Sequence, residues 1–171
     1  MEVEIRACIK NLDTLRNKLL SIGANPVVNL SQEDHYYYPK DKEKSGFILR
    51  VRSNNNKHSL TYKSLTGTDG VWNEFSTGID KPDEAIKLLL NSGFKEILFI
   101  KKKREKFKMN EFEINLDDFN EPKGFGNWIE AEVITDNPKE GKEKITKLFN
   151  QLGIGEEEFV HKGYPEIILK F

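Results

Sequence analysis

The chain opens Met1-Glu2-Val3-Glu4-Ile5-Arg6-Ala7-Cys8-Ile9, and the order of these residues decides how the rest is read. Alternate residues of a strand share a face. Val3, Ile5, Ala7 and Ile9 therefore fall on one side, with Glu2, Glu4 and Arg6 on the other. The ordinary reading of such a strand is an apolar face on a core and a polar face in water. Strands further along the chain argue against it.

Arg50 and Arg52 alternate with Leu49 and Val51, and Lys63 points away from the face of Leu60 and Tyr62. Lys102 and Arg104 share a face, as do Asn115 and Asp117, and again Trp128, Glu130 and Glu132. These polar positions are nearly all charged, and they cluster by sign. Three helical segments also need apolar sheet surface to cover. Leu12, Leu15, Leu19 and Ile22 make one stripe, capped at Asn11 and stopped at Gly23. Ile86, Leu89 and Leu90 make a second, between Pro82 and Gly93. Ile145, Leu148, Phe149 and Leu152 make a third, between Pro138 and Gly153. If those helices pack outside a closed barrel, the apolar faces point outward beneath them and the charged faces point inward.

Strands are predicted over about 1–9, 33–39, 46–53, 58–64, 70–79, 95–104, 105–117 (broken near Met109–Asn110) and 126–135. Asn54-Asn55-Asn56 is a hairpin turn, since Asn tolerates positive φ. Lys40 to Gly46 is expected to be a second, more mobile loop, and Tyr164 to Lys170 a short C-terminal helix. The expected architecture is α+β: an antiparallel eight-stranded closed β-barrel with helices packed outside, one domain over residues 1–171.

A charged lumen is costly unless something pairs with it. A hydrated tunnel holding a polyanion and its metal ions removes the cost. Guanidinium groups suit phosphate oxygens through bidentate contacts. Carboxylates two apart on a strand point the same way and suit a hard divalent cation. Glu2 with Glu4, and Glu130 with Glu132, have that spacing.

Composition narrows the alternatives. Of 171 residues, 37% are hydrophobic and 32% charged, the latter above the usual quarter. Lys and Arg number 27 against 28 acids, a net charge of −1, which argues against a general nucleic-acid or anionic-membrane binder. The single cysteine, Cys8, excludes an intrachain disulfide, and no apolar run reaches the ~20 residues of a membrane span. With no signal peptide at the start, the expected location is cytoplasmic. Cys8 is expected to be a small filler on the tunnel side. Tyr36, Tyr37 and Tyr38 are expected to pack, and His35, His58 and His161 lack metal spacing. The run Lys101-Lys102-Lys103-Arg104 should split between lumen and surface.

The ordered set resembles the CYTH superfamily, the triphosphate tunnel metalloenzymes. Glu2-x-Glu4-x-Arg6 is similar to its N-terminal signature. Gln32-x-Asp34-x-Tyr36, Leu49-Arg50-Val51-Arg52, Lys63, Glu74, Lys102-x-Arg104, Leu116-Asp117 and Gly126-x-x-x-Glu130-x-Glu132 follow in order. The resemblance implies Mg²⁺ or Mn²⁺ on Glu2, Glu4, Asp117, Glu130 and Glu132. It implies a triphosphate on Arg6, Arg50, Arg52, Lys63, Lys102 and Arg104, with Glu74 a further tunnel acid. Glu2, Glu4, Arg6 and Asp117 would stand closest to the chemistry. Most similar are the class IV adenylyl cyclases, which convert ATP to cyclic AMP and pyrophosphate. The alternatives are hydrolysis of inorganic, thiamine or nucleoside triphosphate, and a non-catalytic polyphosphate- or nucleotide-binding module. A homodimer is a further implication of the resemblance. Arg6 departs from the usual Lys and Ser76 from a second acid.

Overall fold

A computed structural model describes residues 1–41, 46–67 and 71–170. In chain order the elements are β1 (Glu2–Ile9), α1 (Leu12–Ser21), β2 (Asn25–Pro39), β3 (Phe47–Asn54), β4 (Lys57–Leu65) and β5 (Val71–Ile79). There follow α2 (Pro82–Asn91), β6 (Phe94–Met109), β7 (Phe112–Glu121), β8 (Asn127–Ile134), α3 (Pro138–Leu152), β9 (Phe159–Val160) and α4 (Tyr164–Leu169). Neighbouring strands run β5-β4-β3-β2-β6-β7-β8-β1-β9. β1 also pairs with β5, Glu2 opposite Trp72 and Val3 opposite Val71, and this seam closes eight antiparallel strands into a barrel. The fold is α+β, with four helices packed around the barrel, as the alternation predicts.

The hydrophobic core lies outside the barrel wall. Val3, Ile5 and Ala7 of β1, Ile129, Ala131 and Val133 of β8, and Ile114 and Leu116 of β7 turn their side chains outward. Leu15 and Leu19 of α1 and Ile145, Leu148, Phe149 and Leu152 of α3 cover them. Fully burying each such side chain stabilises the fold by roughly 1.5–3 kcal/mol. Because outward parity is spent on this core, inward parity is left to the charged residues. Gly141 lets α3 approach closely: a Cβ there would stand 2.9 Å from Thr135 Cγ2 and 3.2 Å from Val3 Cγ2.

β9 and α4 cross one end of the barrel. Tyr164, Ile167 and Ile168 pack there with Tyr36, Ile48, Leu98, Ile100, Phe119 and Trp128, which come from five strands. This apolar plug closes that end of the lumen.

Several boundaries differ from the reading of the sequence. β2 begins at Asn25, because Asn25 to Gln32 pair with the second half of β6. β6 runs unbroken to Met109, and the break falls in a two-residue turn at Asn110, whose φ is 51°. Asn55 takes the predicted left-handed turn conformation, φ 52°. Most of the expected loop at Lys40 to Gly46 lies outside the described residues. In α2, Leu90 is exposed and no residue is fully buried, so that helix covers its strands only partly. Cys8, near the end of β1 and opposite Trp128, is exposed, so it fills nothing.

Candidate active site

The barrel encloses a cavity of about 400 Å³, within the range of small-molecule sites. Its walls are sorted by charge. Acids come from β1 and β8, with Glu74 of β5 and Glu113 of β7, and Arg6 of β1 sits among them. The opposing wall, on β3 and β6, carries Arg50, Arg52, Lys102, Arg104 and Lys106. β1 and β2 stand diametrically opposite, four strands apart either way round.

Glu2 and Glu4 (alternate on β1) and Glu132 (opposite Glu4 on β8) present carboxylate oxygens within 4.8 Å of one another. Octahedral ligands on Mg²⁺ at ~2.1 Å lie up to about 4.2 Å apart, so a small inward movement would seat a hard divalent cation. Burial, reinforced by Glu130 and Glu2, pushes Glu132 up to about 9. Burial likewise raises Glu2 to about 7, although Lys63 opposes it. Burial also disfavours ionised Glu4, but Arg6 and Lys63 outweigh it and hold Glu4 below the usual carboxylate value. Three crowded carboxyls with two raised pKa values are what a cation would relieve, so the donor set fits one.

Glu130 and Asp117 are occupied differently. Glu130 receives Arg6 Nη2 at 2.6 Å, Arg104 Nη2 at 2.9 Å and the Asn115 amide at 3.2 Å. Asp117 takes Arg104 through both oxygens at 2.7 and 2.6 Å, Lys102 at 2.9 Å and the Tyr164 hydroxyl at 2.8 Å. Fully buried, it lies behind Arg104 and Lys102 and does not line the cavity. The structure therefore brings Glu2, Glu4 and Glu132 together and gives Glu130 and Asp117 to the cations.

The cations separate by commitment. Arg52 is clamped by Asp34 at 2.6 and 2.7 Å, and Arg104 by Asp117. Lys63 instead hangs between Glu4, Glu74 and Glu2 at 3.3, 3.5 and 3.8 Å, and Arg50 reaches Glu74 only at 3.6 Å. Arg6 is fixed: its Nη2 also meets Glu4 at 2.8 Å, its Nη1 donates to the Lys162 carbonyl at 3.0 Å, and Tyr164 lies against it. Lys102 is lowered to about 8, by burial first and then Arg104. Lys101 and Lys103 are exposed while Lys102 and Arg104 are buried, so the basic run splits as alternation predicts. Ser76, in place of an acid, bonds Thr61.

Asp34 and Gln32 belong to the Gln32-x-Asp34-x-Tyr36 motif, and the sequence alone assigns them no role. Their shared face with Tyr36 on one strand was the available signal. Tyr36 and Tyr38 line the cavity, whereas Tyr37 is buried on the outer face. Among the described residues no helix is long and apolar enough to cross a membrane.

Comparison with known proteins agrees with this geometry. A Methanocaldococcus jannaschii protein named "putative adenylate cyclase" is 26% identical over 174 residues, 98% of each chain. The structure of the PH1012 protein from Pyrococcus horikoshii superposes with a TM-score of 0.87 at 31% identity, covering 97% of this chain and 98% of that one. A "putative adenylate cyclase" structure from Vibrio parahaemolyticus gives 0.84 at 27% identity, covering 98% and 97%. The family model described as the CYTH domain matches residues 1–164. The chain belongs to the CYTH domain family.

Proposed function

We propose that this protein is a metal-dependent enzyme that cleaves a triphosphate inside the barrel, and that its reaction is adenylyl cyclase-like: ATP to cyclic AMP and pyrophosphate. One observation carries the reading. A carboxylate trio suited to a divalent cation faces, across one cavity, a wall of guanidinium and ammonium groups. A polyphosphate bridged by cations matches both walls at once.

Glu2, Glu4 and Glu132 would hold Mg²⁺ or Mn²⁺. When bound, that ion supplies charge neutralisation and orientation for the attacking and leaving oxygens. Lys63 and Arg50, loosely held, transfer to phosphate oxygens when substrate arrives. Arg104, Arg52 and Lys102 are kept in place by Asp117 and Asp34 and give the polyphosphate a rigid bed, so little reorganisation is needed on binding. Glu130 and Asp117 act here as fixed counter-ions. In the cyclase reaction the ribose 3′-oxygen attacks the α-phosphorus and pyrophosphate leaves. The cyclase names of two relatives support this choice.

Hydrolysis by water is the second reading, and Arg6 favours it. Glu130 and Glu4 hold that guanidinium charged, above its already high value, so it cannot take the proton of a sugar hydroxyl.

The deciding assay offers ATP, tripolyphosphate and thiamine triphosphate with Mg²⁺ or Mn²⁺ and identifies the products. Cyclic AMP and pyrophosphate from ATP support the cyclase. Orthophosphate from tripolyphosphate, with no cyclic nucleotide under either metal, replaces it with a triphosphatase. 3′-Deoxy-ATP separates the two again, since a cyclase binds it without turnover and a triphosphatase cleaves it.

A further inference from the structure

The barrel wall has one long unpaired margin. β5 pairs with β4 from His58 opposite Ile79 to Leu65 opposite Trp72, in an unbroken register. On its other side β1 meets Val71 and Trp72, and among the described residues no strand meets Asn73 to Ile79 there. Asn73 to Gly78 are all exposed, so no described helix or loop covers the margin either. Alternate N–H and C=O groups of an antiparallel strand point to each side, so this margin presents a row of them to water.

Proteins usually blunt such an edge with lysine, proline, a bulge or a very short strand. The stretch Asn73-Glu74-Phe75-Ser76-Thr77-Gly78-Ile79 has none of these. Its single charge, Glu74, faces the lumen, where it meets Lys63 and Arg50. The outward residues, Asn73, Phe75, Thr77 and Ile79, are all uncharged, in a chain of which 32% is charged. They continue an aromatic row on the barrel wall. Phe47 of β3 stacks on Tyr62 of β4 at 5.1 Å, and Tyr62 lies 6.1 Å from Phe75. The row ends at the free margin, with Phe75 70% exposed.

We propose that this margin pairs with the same margin of a second copy of the chain, β5 against β5, antiparallel about a two-fold axis. The strand is compatible with its own reverse. Centred on Ser76, the pairing sets Phe75 opposite Thr77 of the second copy, Asn73 opposite Ile79, and Glu74 opposite Gly78. No like charges face each other, and an aromatic ring opposite a β-branched residue is a favourable cross-strand pair. That register carries the aromatic row across the axis into the second barrel and covers Phe75. An unrelated extended peptide could use the same backbone groups, but a second copy brings the matching outer row as well. The assembly closes at two copies, because a two-fold contact spends the same patch on both. The strand at the other end of the sheet order, β9, has two residues and is already paired with β1. The second copy also continues the wall where β1 stops. β5, which carries Glu74 beside Lys63 and Arg50, is then held from both sides.

The test combines sedimentation velocity with amide hydrogen exchange on the whole chain. Across about a hundredfold range of concentration the wild type should pass from one copy to two and no further. Alternate amides between Asn73 and Ile79 should gain protection over the same range, while those of β7 and β8 stay unchanged. Phe75→Lys and Thr77→Lys each place a charge on the outer side of the margin, at an exposed position. Both should weaken the pairing on the order of tenfold or more and leave circular dichroism and the unfolding midpoint of the single copy unchanged. The exchange experiment needs no variant, so it decides even where a lysine variant folds poorly. A wild type that stays single throughout overturns the proposal, as does growth beyond two copies. A dimer that survives both lysines, or forms without protecting Asn73 to Ile79, uses another surface and overturns it equally.

Discussion

Asp34 shows how one buried carboxylate organises its surroundings. Burial opposes its ionisation, but Arg52, bonded through both oxygens, holds its pKa far below the usual carboxylate range. A depressed folded-state value gives stability that is present above the unfolded value near 4 and is lost as pH falls. Asp34→Asn should therefore cost about 3 kcal/mol at neutral pH, because Arg52 is left buried without its counter-charge. The gap from wild type should narrow below about pH 4, as denaturant midpoints at two pH values will show. The same clamp separates two arginines that look alike in sequence. Arg50→Ala should weaken binding of a non-cleavable triphosphate by about 1.5–3 kcal/mol with little change in unfolding, whereas Arg52→Ala should lower the unfolding midpoint as well. Glu2 and Glu132 run the opposite way. Their raised values mean that the metal-free protein loses stability as pH climbs from the ordinary carboxyl value near 4.5, the loss from Glu2 ending at about 7 and that from Glu132 at about 9. Titration with Mg²⁺ at pH 7 should release on the order of one proton per ion, seen as a binding heat that changes with the buffer's ionisation enthalpy. Glu4→Gln should abolish that binding heat and turnover while circular dichroism stays unchanged.

Among the elements, α4 is the one whose role depends on a single polar contact. Tyr164 donates to Asp117 at 2.8 Å from the far end of the chain, 47 residues away. Tyr164→Phe keeps the ring among Phe119, Phe125 and Trp128 and deletes only that bond. It should lower stability by about 1.5–3 kcal/mol, the usual worth of a hydrogen bond to a charged group, measured by chemical unfolding. The ring packing should hold α4 in place. How well each element could be read follows from how its residues divide between faces. β1 was legible because four apolar and three charged residues alternate without a fault. The charged half of the site was legible for the same reason on β3, β6 and β8. The first half of β2 was not: Asn25 to Asn29 are exposed and include Pro26, which lacks an N–H, so neither period nor propensity marks a strand. β6 looked like two strands because Lys101 to Lys108 mixes charges on both faces. Ion pairing was also hidden. That Arg52 meets Asp34, and that Asp117 sits behind Arg104, depends on register, which parity alone leaves open.

At the scale of the whole molecule the barrel is closed unevenly. β1 pairs with β8 along its full length, from Glu2 opposite Ile134 to Ile9 opposite Asn127, whereas among the described residues it meets β5 at two positions. Lys63 on β4, Glu74 on β5, and Glu2 and Glu4 on β1 straddle that short seam. Hydrogen exchange at Val3, Val71 and Trp72 should be faster than along β1–β8. Metal plus a non-cleavable triphosphate should slow it selectively, because the ligand joins groups from both sides. The plug of β9 and α4 across one end has a kinetic meaning. A barrel stopped at one end is a blind alley, in which whatever goes in must come out by the same door. Traffic is then single-file: the deeper fragment cannot depart while the shallower one stands in the doorway, and no fresh substrate can pass either. Turnover under such a rule has a compulsory sequence of departures, and the fragment that leaves last competes directly with incoming substrate for an empty room.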